Sequence, residues 1–356
     1  MSEQWNNAPV KTIGIDCRFA SGTSGLGRYT RSMVYGLLRR NDSIHYTLFV
    51  RSAQEEWLKH IPEQAHYTLH IADISHYSLS EQIRFPVIIG QSGIELFFSP
   101  HFNVPLLCPV PFIATVHDLI LHRFPTRSVL KQWAYRTQMF FTVRKARSLC
   151  AVSSFTALEI GGRYGPQAIA KCCVTGEGVE ASFAPVPADL VTSILKKYGL
   201  RQPFFLYVGT EKKHKNVSLL IQSFLDLHDD RRQLVLVTPH TKQQYPLEHT
   251  VIRLSDIQEE DLPALYCAAE CFVSASLYEG YGLPIAEALS CGCPVIAGQH
   301  TGIPEASRGA AMLIEPTVAA FTDALRHPPK RPVAYSRPDW SEASARTAHV
   351  LLQALA

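Results

Sequence analysis

The sequence predicts an α/β protein of two domains, each a parallel sheet wrapped by helices. Three observations predict it. In both halves short apolar runs alternate with longer amphipathic ones, the signature of strand–helix units. The alternation breaks at 176–187, where Gly176, Gly178, Pro185 and Pro187 remove all periodicity, and then restarts. The chain has 356 residues, 46% hydrophobic and 18% charged, enough for two ordinary domains with sizeable cores.

Thr12–Asp16 reads as the opening strand, Gly22–Gly27 as a turn and Arg28–Arg40 as a helix. In that helix Tyr29, Met33, Val34, Leu37 and Leu38 recur at helical spacing. His45–Val50, Leu96–Ser99, Phe112–His117 and Leu149–Val152 read as further strands. After the break, Pro203–Gly209 is a strand running into a turn. Asn216–Asp226 is a helix with Val217, Leu220, Ile221 and Phe224 on one face. Gln233–Thr238, Val251–Leu254, Cys271–Ser274 and Pro294–Ala297 are the later strands. A last helix over 339–356, capped at Ser341, places Ala345, Ala348, Leu351, Leu352 and Leu355 on one face. The expected domains are 1–178, with the 339–356 helix returning to it, and 188–334.

A net charge of +3, to which fifteen histidines add only in acid, is too weak to imply nucleic acid. Nine cysteines without a C-x-x-C pair point to reduced, buried thiols and not to zinc. Met1–Asn7 lacks a basic-then-apolar signal pattern, and no apolar run reaches the roughly 18 residues of a membrane span. A cytoplasmic protein is expected.

Glu279-Gly-Tyr-Gly-Leu-Pro-Ile-Ala-Glu287 carries the clearest chemistry. An ionised carboxylate accepts only and can hold two vicinal hydroxyls at once. Between the two acids, the N–H groups of Gly282 and Leu283 lie at an expected helix start, where Pro284 suits the first turn and a phosphate is favoured. Sugar hydroxyl, phosphate and ribose hydroxyl in one segment describe a nucleotide sugar. Lys212, Lys213, His214 and Lys215 crowd the turn after the Pro203–Gly209 strand, a place suited to a diphosphate or to plain solvation, and Lys215 stands nearest the following helix.

In the first half, Gly22-Thr-Ser-Gly25-Leu-Gly27 has G-x-x-G-x-G spacing, not the G-x-G-x-x-G of dinucleotide folds, and is either an anion loop or a tight turn. His117 and Asp118 end a strand, where crevices of open sheets lie. No D-x-D occurs, so no metal and no cofactor is expected, and lysine with helix dipoles would balance a leaving diphosphate. Between Asp118 and Glu159 there is no acid. Arg123, Arg127, Lys131, Arg136, Arg144, Lys145 and Arg147 supply seven cations, interleaved with Trp133, Tyr135, Phe140 and Phe141. Such a stretch either lies on an anionic membrane through 123–147, peripheral on the inner face of the plasma membrane, or is a buried helix with a basic outer side.

Several segments resemble the retaining nucleotide-sugar enzymes of glycosyltransferase family four. They are Tyr207-Val-Gly-Thr210, Lys215-Asn216, Asp261-Leu-Pro-Ala-Leu-Tyr266 and the long run from Ser276 to Ile296. Gly25-Leu-Gly-Arg-Tyr-Thr30, Val116-His-Asp-Leu119 and Ala151-Val-Ser-Ser154 extend the resemblance over nearly the whole chain. It implies a GT-B fold: two Rossmann-like domains with parallel sheets facing across a cleft, the C-terminal helix crossing back onto the first.

It also implies roles. Glu279 would meet the transferred sugar, Glu287 would hold the ribose and Lys215 would neutralise the diphosphate. His117 would contact the sugar near the reacting carbon. Gly25, Gly27, Thr210, Lys212, Gly280, Tyr281, Gly282 and Leu283 would complete the donor site, with Arg28 and Asp118 on the acceptor side. Many relatives carry arginine where this chain has Thr210 or His214.

With no nucleophilic carboxylate evident, front-side attack with retention is expected. Val116-His-Asp-Leu-Ile with Arg123-Phe-Pro125 resembles the mannosyl- and rhamnosyltransferase-like branch that builds bacterial surface polysaccharide, including lipopolysaccharide. That implies GDP-mannose as donor and a glycan or lipid-linked acceptor. A nucleotide-sugar epimerase of the same fold and an inactive partner-binding relative are the rival readings.

Overall fold

The computed structural model describes residues 11–22, 24–40, 44–239, 249–332 and 334–356. The N-terminal segment read above for targeting signals lies outside them. Two compact units form: Met1–Gly176 with Trp340–Ala356, and Glu177–Asp339. The second unit therefore begins earlier than residue 188. Segment 177–187 packs on it: Val179 N–H donates to Pro338 O at 2.9 Å and the Phe183 ring lies 6.2 Å from that of Tyr266.

Unit 1 is built on seven strands: β1 Lys11–Asp16, β2 Ile44–Val50, β3 Tyr67–Ile71, β4 Leu96–Ser99, β5 Phe112–Val116, β6 Ser148–Ala151 and β7 Cys172–Val174. All are parallel, in the order β3-β2-β1-β4-β5-β6-β7. Such a sheet needs helices on both faces, since its strands are apolar on both sides. One face is covered by helices Leu79–Gln91 and Val129–Lys145, whose Phe85, Ile89, Tyr135, Met139 and Val143 share one core with Phe97 and Ala114 of the sheet.

The helix Gly25–Leu38 starts three residues earlier than the sequence suggests, because Ser24 caps it by accepting from Gly27 N–H. It packs on the last helix, Trp340–Leu355. The fit is close: a Cβ at Gly36 would lie 2.5 Å from Ser344 Cβ. That closeness corrects the expected face of the last helix. The buried positions are Ala343, Ser344, Thr347, Ala348, Val350, Leu351 and Ala354, while Leu352 is exposed. Small side chains let the two backbones approach, and a large-apolar pattern does not reveal them. Helix formation begins at Trp340, so Ser341 lies inside the first turn instead of capping it.

Unit 2 has six parallel strands: β8 Phe204–Val208, β9 Gln233–Val237, β10 Val251–Leu254, β11 Cys271–Ser274, β12 Val295–Gly298 and β13 Met312–Ile314. Their order is β10-β9-β8-β11-β12-β13. Helix Val217–Leu225 lays Val217, Leu220, Ile221 and Phe224 onto Phe205, Leu234 and Val273 in the core of this unit. Among the described residues, no helix is long and apolar enough to cross a membrane.

Candidate functional site

In unit 2 the strand order reverses between β8 and β11, so the loops leaving their carboxyl ends border a crevice. These loops are 209–216 and 275–282. They are stitched together where Leu277 N–H donates to His214 O at 2.8 Å. Lys215 Nζ then reaches Glu279 Oε1 at 2.5 Å, with both side chains largely buried. Tyr207, Ser274, Ser276 and Gly282 join them around a small pocket.

Each loop is held from behind. Gly209 has φ +152°, and Tyr207 donates its hydroxyl to Thr210 O at 2.7 Å. Glu211, almost fully buried, accepts from Arg253 at 2.8 Å and from Thr238 at 3.2 Å. Asn216 turns the chain into the next helix in the left-handed region, at φ +52°. On the other side, Glu279 N–H donates to Thr301 Oγ1 and Gly302 N–H donates to Glu279 O, both at 3.0 Å. Thr301 sits at φ +66°, a conformation that β-branched residues rarely hold and that costs about 1–3 kcal/mol. Gly302 lies flat against the backbone of Gly280 and Tyr281.

Of the basic cluster, Lys212 and Lys213 are exposed and Lys215 alone lines the pocket. His214 is buried, and burial, reinforced by the Lys215 and Lys212 charges, lowers its pKa to about 4. Gly282, at φ +111°, opens helix Leu283–Ser290. Tyr281 is buried, which pushes its hydroxyl up to about 12. Glu287 lies on the buried face of that helix. Tyr266 donates to its Oε2 at 3.1 Å, and it does not line the pocket with Glu279.

Unit 1 reverses strand order between β1 and β4. His117, just past β5, shares a 2.9 Å hydrogen bond from Nε2 with Pro100 O, just past β4, and Tyr29 packs edge-on against its ring. The Nε2–H must be the donor there, because a carbonyl only accepts. Asp118 accepts Ile120 N–H at 2.9 Å and so supports the short helix Ile120–Arg123. A Cβ at Gly27 would lie 2.8 Å from the Gly22 carbonyl carbon, whereas one at Gly25 would meet nothing within 4 Å. The glycine is thus sterically required at 27 only. Arg28 follows in the first turn of the same helix, half-buried.

Sequence reasoning missed several groups that build these sites. Ser274, Thr301, Gly302 and Glu211 had no motif of their own, and Ser276 had only its place at the head of the Ser276–Ile296 run; position beyond a strand end next to the order reversal was the available signal. In unit 1 it missed a buried charge cluster. Arg18 reaches Asp16 at 2.7 Å and Glu81 at 2.8 Å, over the Phe85 ring, while Asn103 donates to both Glu81 oxygens.

Comparison with known proteins bears on this geometry. Residues 202–327, all within unit 2, match the family described as "Glycosyl transferases group 1". O-antigen chain mannosyltransferase B of Escherichia coli is 27% identical over 245 residues, 62% of this chain and 61% of its own length. The chain thus spans about three fifths of that relative. O-antigen chain mannosyltransferase RfbU of Salmonella typhimurium LT2 is 24% identical over 73% of this chain and 72% of its own. Among solved structures, Anabaena Alr3699/HepE in complex with UDP and glucose superposes with a TM-score of 0.74 at 14% identity, over 96% of this chain and 99% of its own. The α/β fold of two parallel sheets is therefore shared with that structure along nearly the whole chain.

Proposed function

We propose that this chain is a retaining, metal-independent glycosyltransferase of family four that moves mannose from GDP-mannose to a glycan or lipid-linked acceptor of cell-surface polysaccharide. The observation that carries the reading is the meeting of Lys215 and Glu279 in one pocket beside the helix start at Gly282. A cation, a hydroxyl-binding carboxylate and a phosphate-favouring helix end are what a nucleotide sugar requires. The names of the Escherichia coli and Salmonella relatives favour mannose and O-antigen.

In the resting protein Lys215 and Glu279 neutralise each other. A bound donor would divide the pair: its diphosphate takes the ammonium and a sugar hydroxyl takes the carboxylate. As the bond from the anomeric carbon to phosphate stretches, Lys215 and the amides at Gly282 and Leu283 stabilise the departing charge, where electrostatic help counts most. The leaving phosphate oxygen accepts the acceptor's proton, and attack comes from the same face. Glu287, braced by Tyr266, is assigned to the ribose, and His117, Asp118 and Arg28 of unit 1 to the sugar and the acceptor.

A thermal-shift screen over GDP-, UDP-, ADP- and TDP-sugars tests the donor, since a ligand of the native state raises its stability with affinity. Nucleotide release in the presence of the stabilising sugar tests the chemistry. Lys215→Ala and Glu279→Ala should each lose more than about tenfold in rate, the scale of one lost charged contact, and still fold. Near-wild-type turnover in both would defeat the assignment.

A further inference from the structure

Helices Leu79–Gln91 and Val129–Lys145 bury their inner sides in one core on the same face of the unit 1 sheet. Segment 102–108 ties them together: Leu106 N–H donates to Gln82 of the first helix at 2.9 Å, while Thr142 and Lys145 of the second donate to Phe102 O and Leu106 O at 2.9 and 2.8 Å. Their outer sides therefore form one surface. On it Leu79, Ile83 and Val87, spaced one helical turn apart, are 82%, 69% and 55% exposed. Leu107 is exposed on the connecting segment, and Val129, Leu130 and Trp133 are 83%, 74% and 65% exposed on the second helix. A run of this size marks an interaction site.

The charge on this surface has one sign. Arg84, Lys131, Arg136, Arg144 and Lys145 are exposed. The first helix has a single acid, Glu81, buried against Arg18, and the second has none. Beside the second helix a cavity of about 270 Å³ is walled by Phe140, Tyr164, Gln167, Arg144 and Lys171, two cations next to an aromatic ring. We infer that this two-helix face docks on an anionic phospholipid bilayer. Its leucines, isoleucine and tryptophan enter the interface, its lysines and arginines lie at the level of the phosphates, and one head group fills the Arg144–Lys171 cavity. Apolar side chains ringed by cations without exposed acids fit this partner.

Vesicle flotation of the full chain is the test, with phosphatidylcholine alone and with added phosphatidylglycerol. The expected result is binding to the anionic vesicles about tenfold or more above the neutral ones. Ile83→Ser and Trp133→Ser, on separate helices, should each weaken it several-fold, and paired Lys131→Glu and Arg136→Glu should abolish it. Urea unfolding midpoints should stay unchanged, since all four side chains are exposed. Absence of binding, equal binding to both vesicle types, or wild-type binding by Ile83→Ser would overturn the inference. So would displacement by heparin together with indifference to both serine changes, which would mark a site for soluble polyanions.

Discussion

Gly302→Ala adds one methyl group behind the candidate site and touches none of its side chains. The backbone at 302 has φ −78°, so alanine meets no conformational penalty. The obstacle is steric. A Cβ there would lie 2.7 Å from the Gly280 carbonyl carbon and 2.9 Å from Tyr281 Cα, and closer still to the Gly280 oxygen. Ordinary Cβ contacts begin near 3.4 Å, so segment 279–282 must retreat by about 0.7 Å or more. That retreat acts on Glu279, whose own N–H and C=O are bound to Thr301 and Gly302. Overpacking of this kind costs about 1–3 kcal/mol of stability, and a displacement near 1 Å at reacting groups costs on the order of 100-fold in rate. Urea denaturation reads the first number and nucleotide release from the donor reads the second. Gly162→Ala is the control, since nothing lies within 4 Å of its Cβ and it sits inside helix Ser154–Tyr164, outside the site. A Gly302→Ala protein with wild-type midpoint and rate would refute the claim that close backbone contact positions Glu279.

Two further outcomes follow from buried charge. Arg18→Met leaves the Asp16 and Glu81 carboxylates buried without their cation, and removing one partner of such a cluster costs about 3–5 kcal/mol; a urea midpoint within error of wild type would contradict the cluster. Burial pushes the Glu81 pKa up, but His76 at 3.5 Å, the charge and hydrogen bond of Arg18 and the hydrogen bonds from Asn103 outweigh it and hold the carboxyl below its ordinary range. Glu81 therefore contributes stability above pH ~4.3 that is lost as pH falls through its lowered folded value. Buried His214, by contrast, should stay neutral down to about pH 4. The unfolded imidazole takes up its proton near 6.5, so the stability it contributes is present above that value and lost between there and about 4. An imidazole NMR resonance that vanishes in His214→Gln and titrates near 6.5 would show the side chain to be solvated.

Apart from Tyr67–Ile71, the strands of four or more residues were legible to within a residue or two, because burial on both faces of a parallel sheet demands largely apolar runs. Cys172–Val174 and Met312–Ile314 were not, being three-residue edge strands with no length to form a pattern. Tyr67–Ile71, another edge, is largely exposed and carries only alternating hints. In the site, the Glu279–Glu287 segment was visible because its residues are close in sequence. The partnership of Lys215 with Glu279 spans 64 positions and depends on β8 and β11 being neighbours, which only the folded sheet supplies. Glu211 belongs to no motif in the sequence, and its role as a brace depends on Arg253, 42 residues away. Lys215 could be singled out from Lys212 and Lys213 because it stands nearest the following helix, and the folded turn places the other two in solvent.

The seam between Gly36 and Ser344 has a bearing on biosynthesis. Helix Gly25–Leu38 emerges early from the ribosome, yet the helix that covers it, Trp340–Leu355, is translated after the whole of unit 2. During that interval the small-residue groove around Gly36 stands open on the nascent chain, while residues 177–339 already hold every strand of their own sheet. The later unit can mature first and the earlier one waits. A released chain that ends at residue 339 should show a protease-resistant unit 2 joined to a unit 1 that is still readily cut.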